Sequence, residues 1–233
     1  MRTAGILGGA GPGATADFYR DLIERCAAAG ATTRPPVLIA SMRIDLAVEE
    51  TLLRTGEGVD RYREGMLAAG RALKAAGADF LALPCNTLHL LLPDVERATG
   101  LVAVGIVDAV AMRLRAGGWR RAGLLATACT ARSGLYASGL SAAGVTLVVP
   151  RDDHQDRIHE LILAEIHGRD WSAQRHLMRA ALDDLRERGA EVIIAGCTEL
   201  NALLDGIASP LPVVDSLAVL GEVVAERILD GAG

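Results

Sequence analysis

Short apolar runs alternate with amphipathic stretches from one end of the chain to the other. The runs Ala4 to Gly8, Val37 to Met42, Phe80 to Leu83, Leu101 to Val104, Ala122 to Ala126, Thr146 to Val149, the segment entering Cys197, and Pro212 to Val214 read as strands buried on both faces. Between them, apolar positions recur at helical spacing. Helices are predicted over Ala14 to Ala29, Val59 to Ala76, Leu88 to Ala98, Ala131 to Ala143, Asp153 to Ile166, Ser172 to Arg188 and Ser216 to Leu229, with a short one after Cys197. A further helix, capped by Asp108, stops at Ala116-Gly117-Gly118. Strands and helices alternating in this way predict an α/β protein with parallel sheets flanked by helices.

The pattern also repeats. Gly77-Ala78-Asp79 opens a strand that ends at Pro84-Cys85-Asn86-Thr87, and Gly189-Ala190-Glu191 opens one that ends at Gly196-Cys197-Thr198-Glu199. The two cysteines lie 112 residues apart. A strand, small-residue loop and helix at Gly5 to Tyr19 recur 117 to 118 residues later at Gly123 to Tyr136. Two matched pairs at nearly one offset predict a duplication: two similar α/β domains related by a pseudo-twofold axis. Ligands of parallel sheets bind beyond the carboxyl ends of the strands. The four strand-end loops are therefore expected at one interdomain cleft, with Cys85 and Cys197 facing each other across it.

Composition narrows the classes. The chain has 233 residues, a net charge of −5 and few aromatics, so aliphatic side chains and alanine must fill the core. No basic block suggests nucleic-acid binding, and no apolar run suits a bilayer. The start, Met1-Arg2-Thr3 before a Gly-rich run, lacks the apolar core of a secretory signal, so a cytoplasmic protein is expected. The four cysteines form no Cys-x-x-Cys pair, which argues against structural zinc, and a reducing compartment argues against disulfides. Cys26 reads as a small hydrophobe on a helix. Lys74 is the only lysine and ends a helix, where a solvated role suits it better than a pyridoxal phosphate Schiff base.

Cys85 and Cys197 each stand where a strand hands over to a helix, a place where free N–H groups favour a thiolate. A thiolate on one face of a carbon and a thiol on the other can invert a stereocentre, one removing the proton and the other returning it. Asn86, Thr87 and Thr198 are placed to hold the substrate carboxylate. Glu199 is placed to position Cys197 or to accept its proton through a water. The competing explanation is that the cysteines only pack and the Asn and Thr residues only cap helices.

At these residues the chain resembles the aspartate/glutamate racemase superfamily. The paired signatures are Pro84-Cys85-Asn86-Thr87-x-His89 and Gly196-Cys197-Thr198-Glu199-Leu200. They are joined by Gly5-Ile6-Leu7-Gly8-Gly9-x-Gly11-Pro12-x-Ala14-Thr15, by Gly123 to Thr127 with Thr130, Ser133, Gly134 and Tyr136, and by Pro212-Val213-Val214-Asp215-Ser216. The resemblance, closest to aspartate racemase-like enzymes, implies a cofactor-free, metal-free amino-acid racemase, commonly a homodimer. It implies a first domain of residues 1–103 plus 212–233 carrying Cys85, and a second of 104–211 carrying Cys197. Carried over, the cysteines are the acid/base pair. Asn86, Thr87 and Thr198 bind the α-carboxylate or ammonium. The loops holding Gly9, Ala10 and Gly11, and Thr127, Thr130 and Ser133, line the cleft.

The chain departs from the family at several positions. Ala10 stands where methionine is usual, and Ser41-Met42-Arg43-Ile44-Asp45 replaces an Ile-Pro-Asp-Arg segment. Arg43 is the nearest cation to the arginine of that segment. A second-domain lysine is missing, Cys129 replaces a small residue, and Leu220 stands where histidine is frequent. Hydantoin racemase and maleate isomerase-like activities fit the same cysteine pair. Two readings of other kinds remain. Gly9 to Ala14 fits a dinucleotide fingerprint, with Arg43 for an NADP phosphate, and a non-catalytic amino-acid sensor fits the same fold.

Overall fold

The computed structural model describes residues 1–230. The chain divides into two compact units. The first holds Met1–Glu49, Gly58–Ala109 and the chain from Leu217 onward; the second holds Glu50–Glu57 and Val110–Ser216.

In the first unit, strands β1 (Ala4–Gly8), β2 (Val37–Ser41), β3 (Phe80–Ala82) and β4 (Ala103–Val104) form a parallel sheet in the order β2-β1-β3-β4. In the second, β5 (Arg121–Leu125), β6 (Thr146–Val148), β7 (Val192–Ala195) and β8 (Val213–Asp215) form a parallel sheet in the order β6-β5-β7-β8. The two sheets repeat one order, as the duplicated sequence requires. β1, β3 and β7 are buried along their whole length, which explains their unbroken apolar runs.

The helices are α1 (Pro12–Ala28), α2 (Leu46–Thr55), α3 (Asp60–Ala75), α4 (Leu92–Thr99), α5 (Ile106–Ala116), α6 (Ala128–Arg132), α7 (Leu135–Ala142), α8 (Asp152–Ile166), α9 (Arg175–Glu187), α10 (Leu200–Leu204) and α11 (Ser216–Leu229). Single 3-10 turns occupy Thr87–Leu91 and Ser172–Gln174. In the second unit α8, α9 and α10 pack a core of Val148, Ile158, Ile162, Leu182, Leu185 and Ile193 with their neighbours. α11 returns to the first unit, where Arg227 lies 5.2 Å from the Phe80 ring centre and the Ile228 carbonyl accepts the Arg2 amide.

The repeated Gly-Ala-acid triplet is a helix-to-strand joint. Gly77 (φ 94°) and Gly189 (φ 85°) turn the chain out of α3 and α9 in the left-handed region. The following amides reach back five residues, Ala78 to the Leu73 carbonyl and Ala190 to the Leu185 carbonyl, both at 3.0 Å. The acids then tie the new strand to the sheet. Asp79 accepts the Thr3 amide at 2.6 Å, and Glu191 accepts the Arg120 and Arg121 amides at 2.6 and 3.2 Å. The alanines sit against glycines of β1 and β5. A Cβ on Gly5 would lie 2.8 Å from the Ala78 Cβ, and one on Gly123 would lie 3.2 Å from the Ala190 Cβ.

The structure departs from the expected elements in several places. α2 has no predicted counterpart; Asp45 starts it, its Oδ1 accepting the amides of Ala47 and Val48 at 3.0 and 3.2 Å. The single helix expected over 131–143 is two, because Gly134 (φ 77°) takes a conformation no helix tolerates. Asp108 lies inside the first turn of α5 and does not cap it. β8 is hydrogen-bonded to β7 and so belongs to the second sheet, and the first compact unit resumes at Leu217. The division between the compact units falls inside α5, after Ala109, and Glu50–Glu57 groups with the second unit.

Candidate active site

All the candidate residues follow the carboxyl ends of strands within their own unit. In the first unit these are Gly9, Ala10 and Gly11 after β1, Arg43 after β2, and Cys85, Asn86 and Thr87 after β3. In the second they are Thr127, Thr130 and Ser133 after β5, and Cys197, Thr198 and Glu199 after β7. Parallel pairing places the strand-end loops of one sheet along one edge of it.

The loop after β1 is shaped by contacts that demand glycine. Gly9 has φ 99°, and a Cβ there would sit 2.6 and 2.7 Å from the Met42 carbonyl oxygen and amide nitrogen. Thr15 braces the loop from α1, its hydroxyl accepting the Gly9 amide at 3.2 Å and donating to the Gly11 carbonyl at 3.1 Å. Ala10 is buried, and Arg43 is exposed.

The Cys85 segment turns sharply at Pro84, the Cys85 amide donating to the Leu83 carbonyl at 2.9 Å. Cys85 is half-buried, while Asn86 and Thr87 are buried. The device that fixes this segment is His89. Its Nε2 accepts the Ile106 amide at 3.0 Å, so in the neutral ring Nδ1 carries the proton and donates to the Cys85 carbonyl at 2.6 Å. Burial depresses the His89 pKa to about 4, against a smaller opposing pull from the Cys85 carbonyl. The ring thus stays neutral and bridges the cysteine loop to the start of α5.

In the second unit, Cys197 and Glu199 are in direct contact. The thiol donates to Glu199 Oε2 at 2.9 Å, and the Thr198 hydroxyl donates to the same oxygen at 2.7 Å. No intervening water is needed, and the Thr198 hydroxyl is committed to the carboxylate. The strand below is held by Ser216, whose hydroxyl donates to the Ala195 carbonyl at 2.7 Å and hydrogen-bonds the buried Tyr136. Burial raises the Tyr136 pKa, and the charges of Cys197 and Asp215 push it the same way.

The loop after β5 is braced from α8. Gln155 donates to the Ala126 carbonyl at 2.9 Å, and His159 Nδ1 accepts the Ala128 amide at 3.3 Å. Thr127 caps α6 through the Thr130 amide at 3.3 Å, with the two threonine hydroxyls 3.1 Å apart. Ser133 is exposed and bonds back to the Thr130 carbonyl at 3.0 Å. Cys129 is buried and burial raises its pKa; Cys26 is buried likewise, as its place on α1 implied. No disulfide forms among the described residues.

His89, Tyr136, Gln155, His159 and Ser216 are absent from the list of candidates that the sequence suggests. His89 stands in the cysteine signature, and its spacing of four from Cys85 was the available signal. Gln155 and His159 lie one helical turn apart on α8, which only the fold brings to the β5 loop.

A duplicated parallel sheet with a cysteine at the end of the same strand in each copy defines a narrow class of protein. The sequence matches the description Asp/Glu/Hydantoin racemase over residues 7–223, and the chain belongs to that family, one of isomerases. It is 28% identical over 229 residues to the broad specificity amino-acid racemase RacX of Bacillus subtilis (strain 168), covering 97% of each chain. The crystal structure of an aspartate racemase homologue from Pyrococcus horikoshii OT3 matches at TM-score 0.80 and 28% identity, over 98% of this chain and 99% of that one. The aspartate racemase of Picrophilus torridus shares the fold at TM-score 0.73 and 21% identity, over 100% and 95% of the two chains. Among the described residues, no helix is long and apolar enough to cross a membrane.

Proposed function

We propose that this protein racemises free amino acids by two-base proton transfer through Cys85 and Cys197, without pyridoxal phosphate or metal. The observation that carries the reading is the equivalent placement of the two thiols, one at the end of β3 and one at the end of β7, in sheets of the same order. One cysteine, as thiolate, removes the α-proton. The other, as thiol, delivers a proton to the opposite face of the carbanion-like intermediate. Turnover leaves the two sulfurs with exchanged protonation states, which suits catalysis in both directions.

Glu199 supports the cycle on one side. Its carboxylate touches the Cys197 thiol, so the proton that leaves Cys197 has an acceptor in place. Backbone N–H groups around Asn86, Thr87 and Thr198 hold the α-carboxylate. The glycines after β1 do not require a dinucleotide, because the close approach of Met42 accounts for Gly9.

The test is α-proton exchange in deuterated buffer. Wild-type protein should exchange both enantiomers of a substrate. Cys85→Ser and Cys197→Ser should each lose racemisation by roughly three orders of magnitude or more, because a hydroxyl is a far weaker acid than a thiol. By family resemblance, the remaining cysteine should still exchange one enantiomer, L for the Cys85 variant and D for the Cys197 variant. The same preference in both variants, or wild-type racemisation in either, defeats the proposal.

A further inference from the structure

Each unit ties its cysteine segment to the helix that follows its edge strand. In the first unit the edge strand is β4 and the helix is α5. Its first residue, Ile106, gives its amide to His89, and the same ring holds the Cys85 carbonyl. In the second unit the edge strand is β8, with Asp215 opposite Ala195 of β7, and the helix is α11. Its first residue, Ser216, donates its hydroxyl to the Ala195 carbonyl at 2.7 Å. The two ties occupy the same place in the duplicated fold but differ in chemistry.

Tyr136 completes the second tie. It is 1% exposed, at the start of α7, and it hydrogen-bonds Ser216, which is fully buried. Ser216 has one proton to give and gives it to Ala195, so Tyr136 is the donor of their bond. The contacts thus run from α7 through the start of α11 to the end of β7. The next residue, Gly196, is held from the other side. Its amide donates to the Leu125 carbonyl at 2.8 Å, and a Cβ there would lie 2.6 Å from Leu124 Cδ1. With the two residues before it fixed, Cys197 takes its position from them, and its contact with Glu199 at 2.9 Å then orients the sulfur.

We propose that Ser216 and Tyr136 are positioning residues for Cys197, setting its sulfur against the α-carbon through Ala195, so that they serve the half-reaction on one face of the substrate and not the other. The inference rests on the racemase reading above. His89 is the counterpart for Cys85 in the first unit.

Racemisation itself cannot reveal this asymmetry. The two enantiomers are equal in free energy, so any loss of kcat/KM is shared by both directions. Single-cysteine variants separate the halves. The quantity to measure is α-deuterium exchange through Cys197, in Cys85→Ser, divided by exchange through Cys85, in Cys197→Ser. Adding Tyr136→Phe or Ser216→Ala to both backgrounds should lower that ratio about tenfold, because a small displacement of a reacting group is costly. Adding His89→Gln should raise it. Tyr136→Phe deletes one oxygen and keeps the packing, so it carries the test if Ser216→Ala does not fold. Where exchange is too slow to read, alkylation by iodoacetamide, resolved by mass spectrometry, decides. The rate at Cys197 relative to Cys85 should change at least threefold in Tyr136→Phe. Wild type that exchanges no amino acid overturns the racemase reading and this inference together. Wild type that exchanges both enantiomers, with exchange through the two cysteines falling equally in the variants or with relative alkylation unchanged, overturns this inference alone.

Discussion

His89 shows how much a single residue can hold. One neutral ring satisfies the Cys85 carbonyl and the Ile106 amide, two backbone groups 21 positions apart in the chain. Its pKa is depressed from the ordinary 6.5 to about 4. Between those values the unfolded chain binds a proton that the folded chain refuses, so this histidine contributes stability that is present above pH 6.5 and lost as the pH falls toward 4. His159, also lowered by burial, acts in the same direction. Wild-type melting temperature should therefore drop between pH 7 and pH 4, and His89→Gln should flatten that dependence. At pH 7 the variant should be less stable by about 1–3 kcal/mol, since glutamine cannot reach both groups. Thermal unfolding across pH checks this; an unchanged slope would show that His89 is not the titrating group. Its effect on racemisation should lie mainly in kcat, through displacement of Cys85.

The loops after the strands are set by backbone geometry more than by side chains. Gly9 and Gly13 stand four positions apart in one Gly-rich segment but have opposite requirements. A methyl group at Gly9 meets the Met42 backbone at a positive φ, whereas nothing lies within 4 Å of one at Gly13, in the first turn of α1. Gly9→Ala should destabilise by roughly 2–4 kcal/mol and lower activity, because β2 and its loop must move. Gly13→Ala should be neutral or stabilising by up to about 1 kcal/mol. Equal melting temperatures for the two variants would show that the β1 loop yields easily. The joints at Gly77 and Gly189 follow the same logic, and they explain why the triplet recurs in both halves: one acid, one alanine and one positive-φ glycine set the start of each central strand.

At the scale of the whole molecule, two units carry the same sheet order, and the chain crosses between them inside α2, before α3, inside α5 and at the start of α11. Each unit supplies one cysteine to the proposed reaction, so the chemistry depends on both. Neither unit offers a lysine for a Schiff base, because the only lysine, Lys74, donates to the Thr99 carbonyl at the foot of α3. Among the described residues, no three potential ligands cluster for a metal. Purified protein should be colourless and should keep its activity through dialysis against a chelator and exposure to hydroxylamine. Loss of activity restored by pyridoxal phosphate or by zinc would overturn cofactor independence.

The alternation of apolar runs with amphipathic helices, the duplication, and the position of Cys85 and Cys197 at strand ends could all be read from the sequence. Each depends on local periodicity or on residues close in the chain, and strands buried on both faces leave a plain apolar signature. α2 escaped because its ten residues carry only two buried leucines, and Gly134 was missed because glycine is tolerated in many short helices. The rest was decided by tertiary structure. Which group the Cys197 thiol touches, which ring bridges Cys85 to α5, and which side chain of α8 braces the loop after β5 depend on groups placed by the folded backbone at hydrogen-bond distance. Chain spacing carries no record of such meetings. They arise only when the sheets have stacked their helices and the core has fixed each rotamer.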